Sequence, residues 1–175
     1  MSMPQRRRVV VGVSGSLGSV TALHRAADES HRTGATLWAV LAWELPGGDL
    51  GHRGPACRPL LAECRRRAGE RLLETIDDAF GIAGPGVAME GLVVLGTPGS
   101  ALLSVADRPD DLLVVGAGTR GWFRRALRPS TARYCLAHAS CAVLAVPPSP
   151  LQDELATVHW RNTWRMPVDL RELAD

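Results

Sequence analysis

The sequence predicts an α/β chain built on a single open, mostly parallel five-stranded sheet with helices on both faces. Two kinds of segment point there. Short valine- and leucine-rich runs bounded by glycine read as strands buried on both faces. Between them lie stretches whose apolar residues recur at helical spacing. The two kinds alternate along the chain, the pattern of strand–helix–strand crossovers, and such sheets take their ligands beyond the carboxyl ends of the strands.

The elements follow in order. Val9 to Val13 is a β-branched run, with Gly12, Gly15 and Gly18 expected to break it into a glycine turn. From Ser19, Val20, Leu23, Ala26 and Ala27 mark a first helix that Gly34 stops. Ala35 to Trp43 reads as the second strand, followed by a proline- and glycine-rich loop from Pro46 to Pro55. A second helix is expected over Arg58 to Phe80, with Leu61, Ala62, Ala68, Leu72, Leu73 and Ile76 as its apolar stripe and Gly81, Gly84 and Gly86 ending it. Val87 to Val94 forms a third strand, and Pro98 starts a helix capped by Thr97 that runs to about Asp107. Leu112 to Val115 is the fourth strand, Ser130 to His138 a further helix and Ala142 to Val146 a short fifth strand. Cys141 is expected as a small core hydrophobe at the start of that strand.

Composition excludes several classes of function. At 175 residues, 46% hydrophobic and 22% charged, the chain fits one soluble globular domain. Its longest apolar runs are far too short to cross a bilayer, and the basic stretch Met1 to Arg8 leads into no extended apolar region, so neither a membrane span nor a secretory signal is expected. A cytoplasmic location is the resulting expectation. The net charge of +2, with acids and bases interspersed, gives no argument for nucleic-acid binding. All 20 basic residues are arginine, which rules out a Schiff-base lysine, a lysine general base and a Walker-type P-loop. The cysteines Cys57, Cys64, Cys135 and Cys141 have no CxxC spacing, and no metal site is predicted. The five histidines are scattered, none beside a nucleophile motif, and no catalytic residues are expected. His138 is placed at a helix C-terminus, where the dipole favours it.

Two loops follow buried strands at carboxyl ends expected to be adjacent in the sheet: Ser14-Gly-Ser-Leu-Gly-Ser19 and Gly116-Ala-Gly-Thr-Arg-Gly121. Glycine permits close approach to an anion, and the helix N-terminus near Ser130 offers free N–H donors, so together they are candidates for a nucleotide site. Each taken alone also reads as an ordinary tight turn. Arg120, Arg124, Arg125, Arg128 and Arg133 read either as phosphate donors or, the preferred reading, as a solvated basic face.

Together with their surroundings these segments resemble the universal stress protein family over Arg8 to Pro147. The resemblance rests on Val9-Val-Val-Gly-Val-Ser-Gly-Ser, Leu41-Ala-Trp43 and Gly96-Thr-Pro98. Its most specific part is Leu112-Leu-Val-Val-Gly-Ala-Gly-Thr-Arg-Gly, followed by Ser130-Thr131 and His138-Ala-Ser-Cys-Ala-Val-Leu-Ala-Val-Pro147. It implies a Rossmann-like five-stranded fold, a role in stress physiology, a homodimer commonly formed through the last strand (Ala142 to Val146) and, in some members, bound ATP. The domain would then cover residues 8–147, with an N-terminal arm at 1–7 and a C-terminal extension at 148–175.

For ATP, the residues that the resemblance implicates are Gly12, Val13, Ser14, Ala42, Val115, Gly116, Gly118, Thr119, Ser130 and Thr131. Gly116 matches the first glycine of the family's nucleotide motif, but the second falls on Thr119 and the third on Pro129. Ser130 restores the pattern, and the acid that follows the first strand in the family falls on Ser14. Pro129 has no N–H to give a phosphate, Thr119 resists a left-handed backbone, and Ser14 brings no carboxylate for a metal ion or ribose hydroxyl. The expectation is a non-enzymatic stress-response module whose ATP site is weak or lost. One alternative is ATP binding through a rearranged loop. Another is an enzyme of the ATP pyrophosphatase type, whose SGGxDS loop Ser14 to Ser19 resembles without the second Gly and the Asp. In residues 148–175, Trp160 and Trp164 are expected to pack on the body of this subunit or its partner, the other reading being a partner-binding peptide.

Overall fold

The computed structural model describes residues 7–45, 58–117 and 130–147. In chain order the elements are β1 (Arg8–Val13), α1 (Leu17–Thr33), β2 (Thr36–Trp43) and α2 (Arg58–Phe80). A single 3₁₀ turn (Gly81–Ala83) leads on to β3 (Met89–Leu95), α3 (Pro98–Val105), β4 (Leu112–Gly116), α4 (Thr131–His138) and β5 (Ala142–Val146). The strands form one five-stranded sheet in the order β3-β2-β1-β4-β5, every pair parallel. The predicted fold class is therefore the observed one, and β1 and β4, which carry the two glycine loops, are neighbours with Val9 opposite Leu112 and Val11 opposite Val114.

Alternation along the strands divides the core in two. Val9, Val11 and Val13 of β1 and Leu37, Ala39 and Leu41 of β2 face α1 and α2, against Leu23, Ala26, Leu72 and Ile76. Val10, Val40, Leu113 and Val115 face the other way, against Leu102 of α3 and Ala132 and Cys135 of α4. Both faces are covered, which is why these strands read as unbroken apolar runs.

Several local expectations change. Gly12 does not break the strand but stays within β1, and the turn begins after Val13, with Gly15 at a φ of 75°. Helix α1 starts at Leu17 rather than Ser19 because Ser16 caps it, its hydroxyl accepting from the Ser19 N–H. Of the predicted α2 stripe, Leu73 is 63% exposed and Ala62 is exposed, while Thr75 is buried in their place. Leu72 and Leu73 lie about 100° apart around a helix, so burying one turns the other outward. Thr97 sits at the cap of α3 without the expected side-chain bond to the helix backbone, its hydroxyl pairing instead with Ser100 Oγ at 2.8 Å. Cys141 precedes β5 and is half-buried, whereas Cys135 is fully buried in the core. His138 does close α4, its Nδ1 at 2.9 Å from the Tyr134 carbonyl and its ring stacked on that of Tyr134.

At the amino ends of the strands, Arg8 ties β1 to the chain leading into β4. Its Nε donates to Asp111 Oδ1 at 2.9 Å, its Nη2 donates to Asp107 Oδ1 at 2.7 Å, and Trp38 lies beneath the guanidinium. The Asp111 hydrogen bond holds the Arg8 charge firmly in place, and Arg8 holds the Asp107 carboxyl below its ordinary range. This end of the sheet is locked by ion pairs, which leaves the carboxyl end for a ligand.

Candidate functional site

At the carboxyl ends of β1 and β4 the chain diverges to opposite faces of the sheet, since β1 continues into α1 on one face and α4 lies on the other. A divergence of this kind opens a crevice in a parallel sheet. A cavity of about 210 Å³ occupies it. Its apolar lining comes from Val13, Val40, Leu41, Ala42, Pro98, Leu102 and Val115. Its polar lining is formed by Ser14, Ser16, Gly18, Ser19, Gly116, Thr131 and Arg71.

Gly116 makes the geometry of the polar lining possible. A Cβ there would stand 2.8 Å from the carbonyl oxygen of Gly18, so only glycine lets the end of β4 approach the first turn of α1. Gly12 has a related role on the opposite face, where a Cβ would meet Leu102 Cδ1 at 2.9 Å. The turn itself is held by hydroxyls. Ser19 Oγ donates to the Ser16 carbonyl at 2.8 Å and accepts from the Ser14 N–H at 3.2 Å, and Ser14 Oγ lies 3.0 Å from Ser16 Oγ. The amino end of α1 faces the cavity through Gly18 and Ser19, and that of α4 through Thr131, so both helix dipoles favour an anion there.

Seven of the ten residues predicted for the site line the cavity: Gly12, Val13, Ser14, Ala42, Val115, Gly116 and Thr131. Ser130 stands next to it as the N-cap of α4, its hydroxyl accepting from the Arg133 N–H. Gly118 and Thr119 lie outside the described residues, as do Pro129, the arginines Arg120, Arg124, Arg125 and Arg128, and the tail with Trp160 and Trp164.

Sequence reasoning missed Arg71. It comes from the middle of α2, 57 positions from Ser14 along the chain, and its Nη2 donates to the Ser14 carbonyl at 3.1 Å. No signal near the glycine loops announces it, because only the packing of α2 beside the first turn brings it there. Ser16 and Ser19 were within reach of sequence reasoning, since the Ser-x-x-Ser spacing before an apolar run is a capping pattern.

The lining, among the described residues, holds no carboxylate, imidazole or thiol. Burial pushes the thiols of Cys135 and Cys141 up from their ordinary value, and His24 packs edge-on against Phe80 away from the cavity. The described residues contain no helix long and apolar enough to cross a membrane and no group of three metal-ligating side chains. What the cavity presents is apolar side chains together with hydroxyls, backbone N–H groups and one guanidinium, an arrangement suited to a ligand with an apolar part and an anionic part.

Comparison with known proteins gives the same answer as the fold. No curated protein matches the chain. Among solved structures, a universal stress protein in complex with cAMP shares 28% identity over 82% of this chain and 98% of its own, with a TM-score of 0.54. Universal stress protein UspA from Lactobacillus plantarum shares 23% identity over 82% of this chain and 99% of its own, at a TM-score of 0.59. A universal stress protein family member from Burkholderia pseudomallei shares 22% over 82% and 97%, at 0.55. The last two are similar in fold. The sequence pattern of the universal stress protein family matches residues 5–147, the whole of the sheet and its helices. With the parallel sheet, the glycine approach at Gly116 and this match in agreement, the chain belongs to the universal stress protein family.

Proposed function

We propose that this protein is a non-enzymatic, cytoplasmic stress-response module whose cleft takes an adenine nucleotide and holds ATP weakly. The observation that carries this reading is the lining of the cavity: apolar side chains beside hydroxyls and a guanidinium, with no carboxylate, imidazole or thiol in its described part. The similar protein in complex with cAMP supports a ligand with a single phosphate. Residues 8–147 form the nucleotide-binding domain in this reading, 1–7 an arm and 148–175 an extension, and two copies pair through β5.

The three departures from the family motif act on the rest of a triphosphate. Pro129 cannot donate, Thr119 resists the glycine geometry and Ser14 has no carboxylate. At about 1 to 2 kcal/mol for each of the three changes, the combined effect exceeds roughly a hundredfold. Calorimetric titration with Mg-ATP is expected to show no binding tighter than about 100 μM, equivalent to about 5.5 kcal/mol. The triple variant Ser14→Asp, Thr119→Gly, Pro129→Gly is expected to bind more tightly. A low-micromolar affinity in the unmodified protein overturns the weak-site reading in favour of a rearranged loop.

A further inference from the structure

The described lining of the cleft contains one ionisable side chain, Arg71, and no carboxylate. A divalent cation at a nucleotide site is a hard ion that takes oxygen ligands, usually one or two carboxylates together with the phosphates. Here the position after β1 is Ser14, whose hydroxyl is shared with Ser16, and the nearest charge is the guanidinium that donates to the Ser14 carbonyl. The described lining offers a metal ion no carboxylate and sets a guanidinium of the protein's own beside Ser14.

Arg71 is suited to this role. It carries five N–H donors in a planar fork, and its bond to the Ser14 carbonyl uses one donor while holding the side chain at the cavity wall. Among the described residues its other donors have no acceptor, so they stay available for a bidentate contact with an anionic oxygen. The amino ends of α1 and α4 add their partial positive charge at the same place.

We propose that the cleft binds the phosphate of its nucleotide without a metal ion, and that Arg71 is the residue that makes this selection. The inference rests on the nucleotide reading above. It predicts a preference opposite to that of a carboxylate-bearing site. Chelated magnesium masks phosphate charge that Arg71 needs, and the described lining has no carboxylate to hold the ion in return.

The test is a set of titrations with AMP, ATP, adenosine and ribose 5-phosphate, each in EDTA and in excess magnesium, on the wild type and on Arg71→Gln, Arg71→Lys and Ser14→Asp. In the wild type, magnesium is expected to leave AMP binding unchanged and to weaken ATP. Arg71→Gln is expected to lower AMP affinity about tenfold, as for loss of a hydrogen bond to a charged group, and to leave adenosine unaffected. Arg71→Lys restores part of the loss, and Ser14→Asp makes ATP binding depend on magnesium. Because Arg71 is exposed on α2, thermal melts of its variants are expected to match the wild type. Tighter ATP binding with magnesium in the wild type overturns the inference, as does an equal effect of Arg71→Gln on AMP and adenosine, or no binding of any anion at 10 mM, an order-of-magnitude ceiling for a specific contact. AMP binding no tighter than ribose 5-phosphate, with the Arg71 dependence intact, overturns the adenine reading alone and leaves the metal-free anion site standing.

Discussion

At the residue scale, the site depends on two glycines whose neighbours differ in how far they can yield. The atom facing Gly116 is a backbone carbonyl in the first turn of α1, whereas the atom facing Gly12 is the end of a leucine side chain. Backbone cannot rotate away, while Leu102 has other rotamers. Gly116→Ala is therefore expected to destabilise the fold by about 1 to 3 kcal/mol, the usual range for overpacking, and to displace α1 from the cleft. Gly12→Ala is expected to cost less and to narrow the apolar lining instead. Urea denaturation of the two variants checks the order, and equal losses would contradict it. The third close contact, between a Cβ on Gly99 and the Tyr134 ring, shows how tightly α3 and α4 meet.

At the element scale, α2 combines two regimes in one helix. None of Arg58 to Arg67 is buried, and Ala68 is the first residue to enter the core. The opening turns have little tertiary packing to hold them, and the pairs Glu63–Arg66, Glu63–Arg67 and Arg66–Glu70 act at helical spacing instead. The hydrogen bond from Arg66, and then that from Arg67, hold the Glu63 carboxyl down to about 2, against an ordinary 4.5. A carboxyl with a depressed value in the folded state favours folding above its unfolded value, and that contribution is lost as pH falls toward the folded one. Thermal stability is thus expected to decline between about pH 4.5 and pH 2, with Glu63→Gln showing a shallower decline. Melting curves across that window check it. The effect is small, because the pairs are exposed and salt screens them. Arg71 stands just beyond this stretch, so the helix that leaves the core at one end delivers the cleft's cation where it joins it.

At the scale of the whole molecule, the sheet formed by the described residues has β3 and β5 at its edges. Unpaired strand edges invite association, and β5 is short, apolar and followed by Pro147 and Pro148, which cannot continue a ladder. A homodimer through Ala142 to Val146 is the expected assembly. Ala142 is exposed, so Ala142→Glu adds like charges to a two-fold contact and is expected to shift the protein toward monomer, as read by light scattering at micromolar concentration. A wild type that is already monomeric, or an Ala142→Glu variant that stays dimeric, excludes this edge.

The class of the fold, the order of its elements and seven residues of the cavity lining were legible in the chain alone, because those features are local. Two-sided burial of parallel strands writes itself as apolar runs, and glycine after a strand marks a close approach wherever it leads. The partner of that approach was not legible. Tertiary structure decided that Gly116 meets Gly18, that Leu73 turns outward while Thr75 is buried, and that Ser16 starts α1. It alone decided that Arg71 reaches the glycine turn, for a side chain's chemistry is written at one position while its neighbours are set by how distant helices pack.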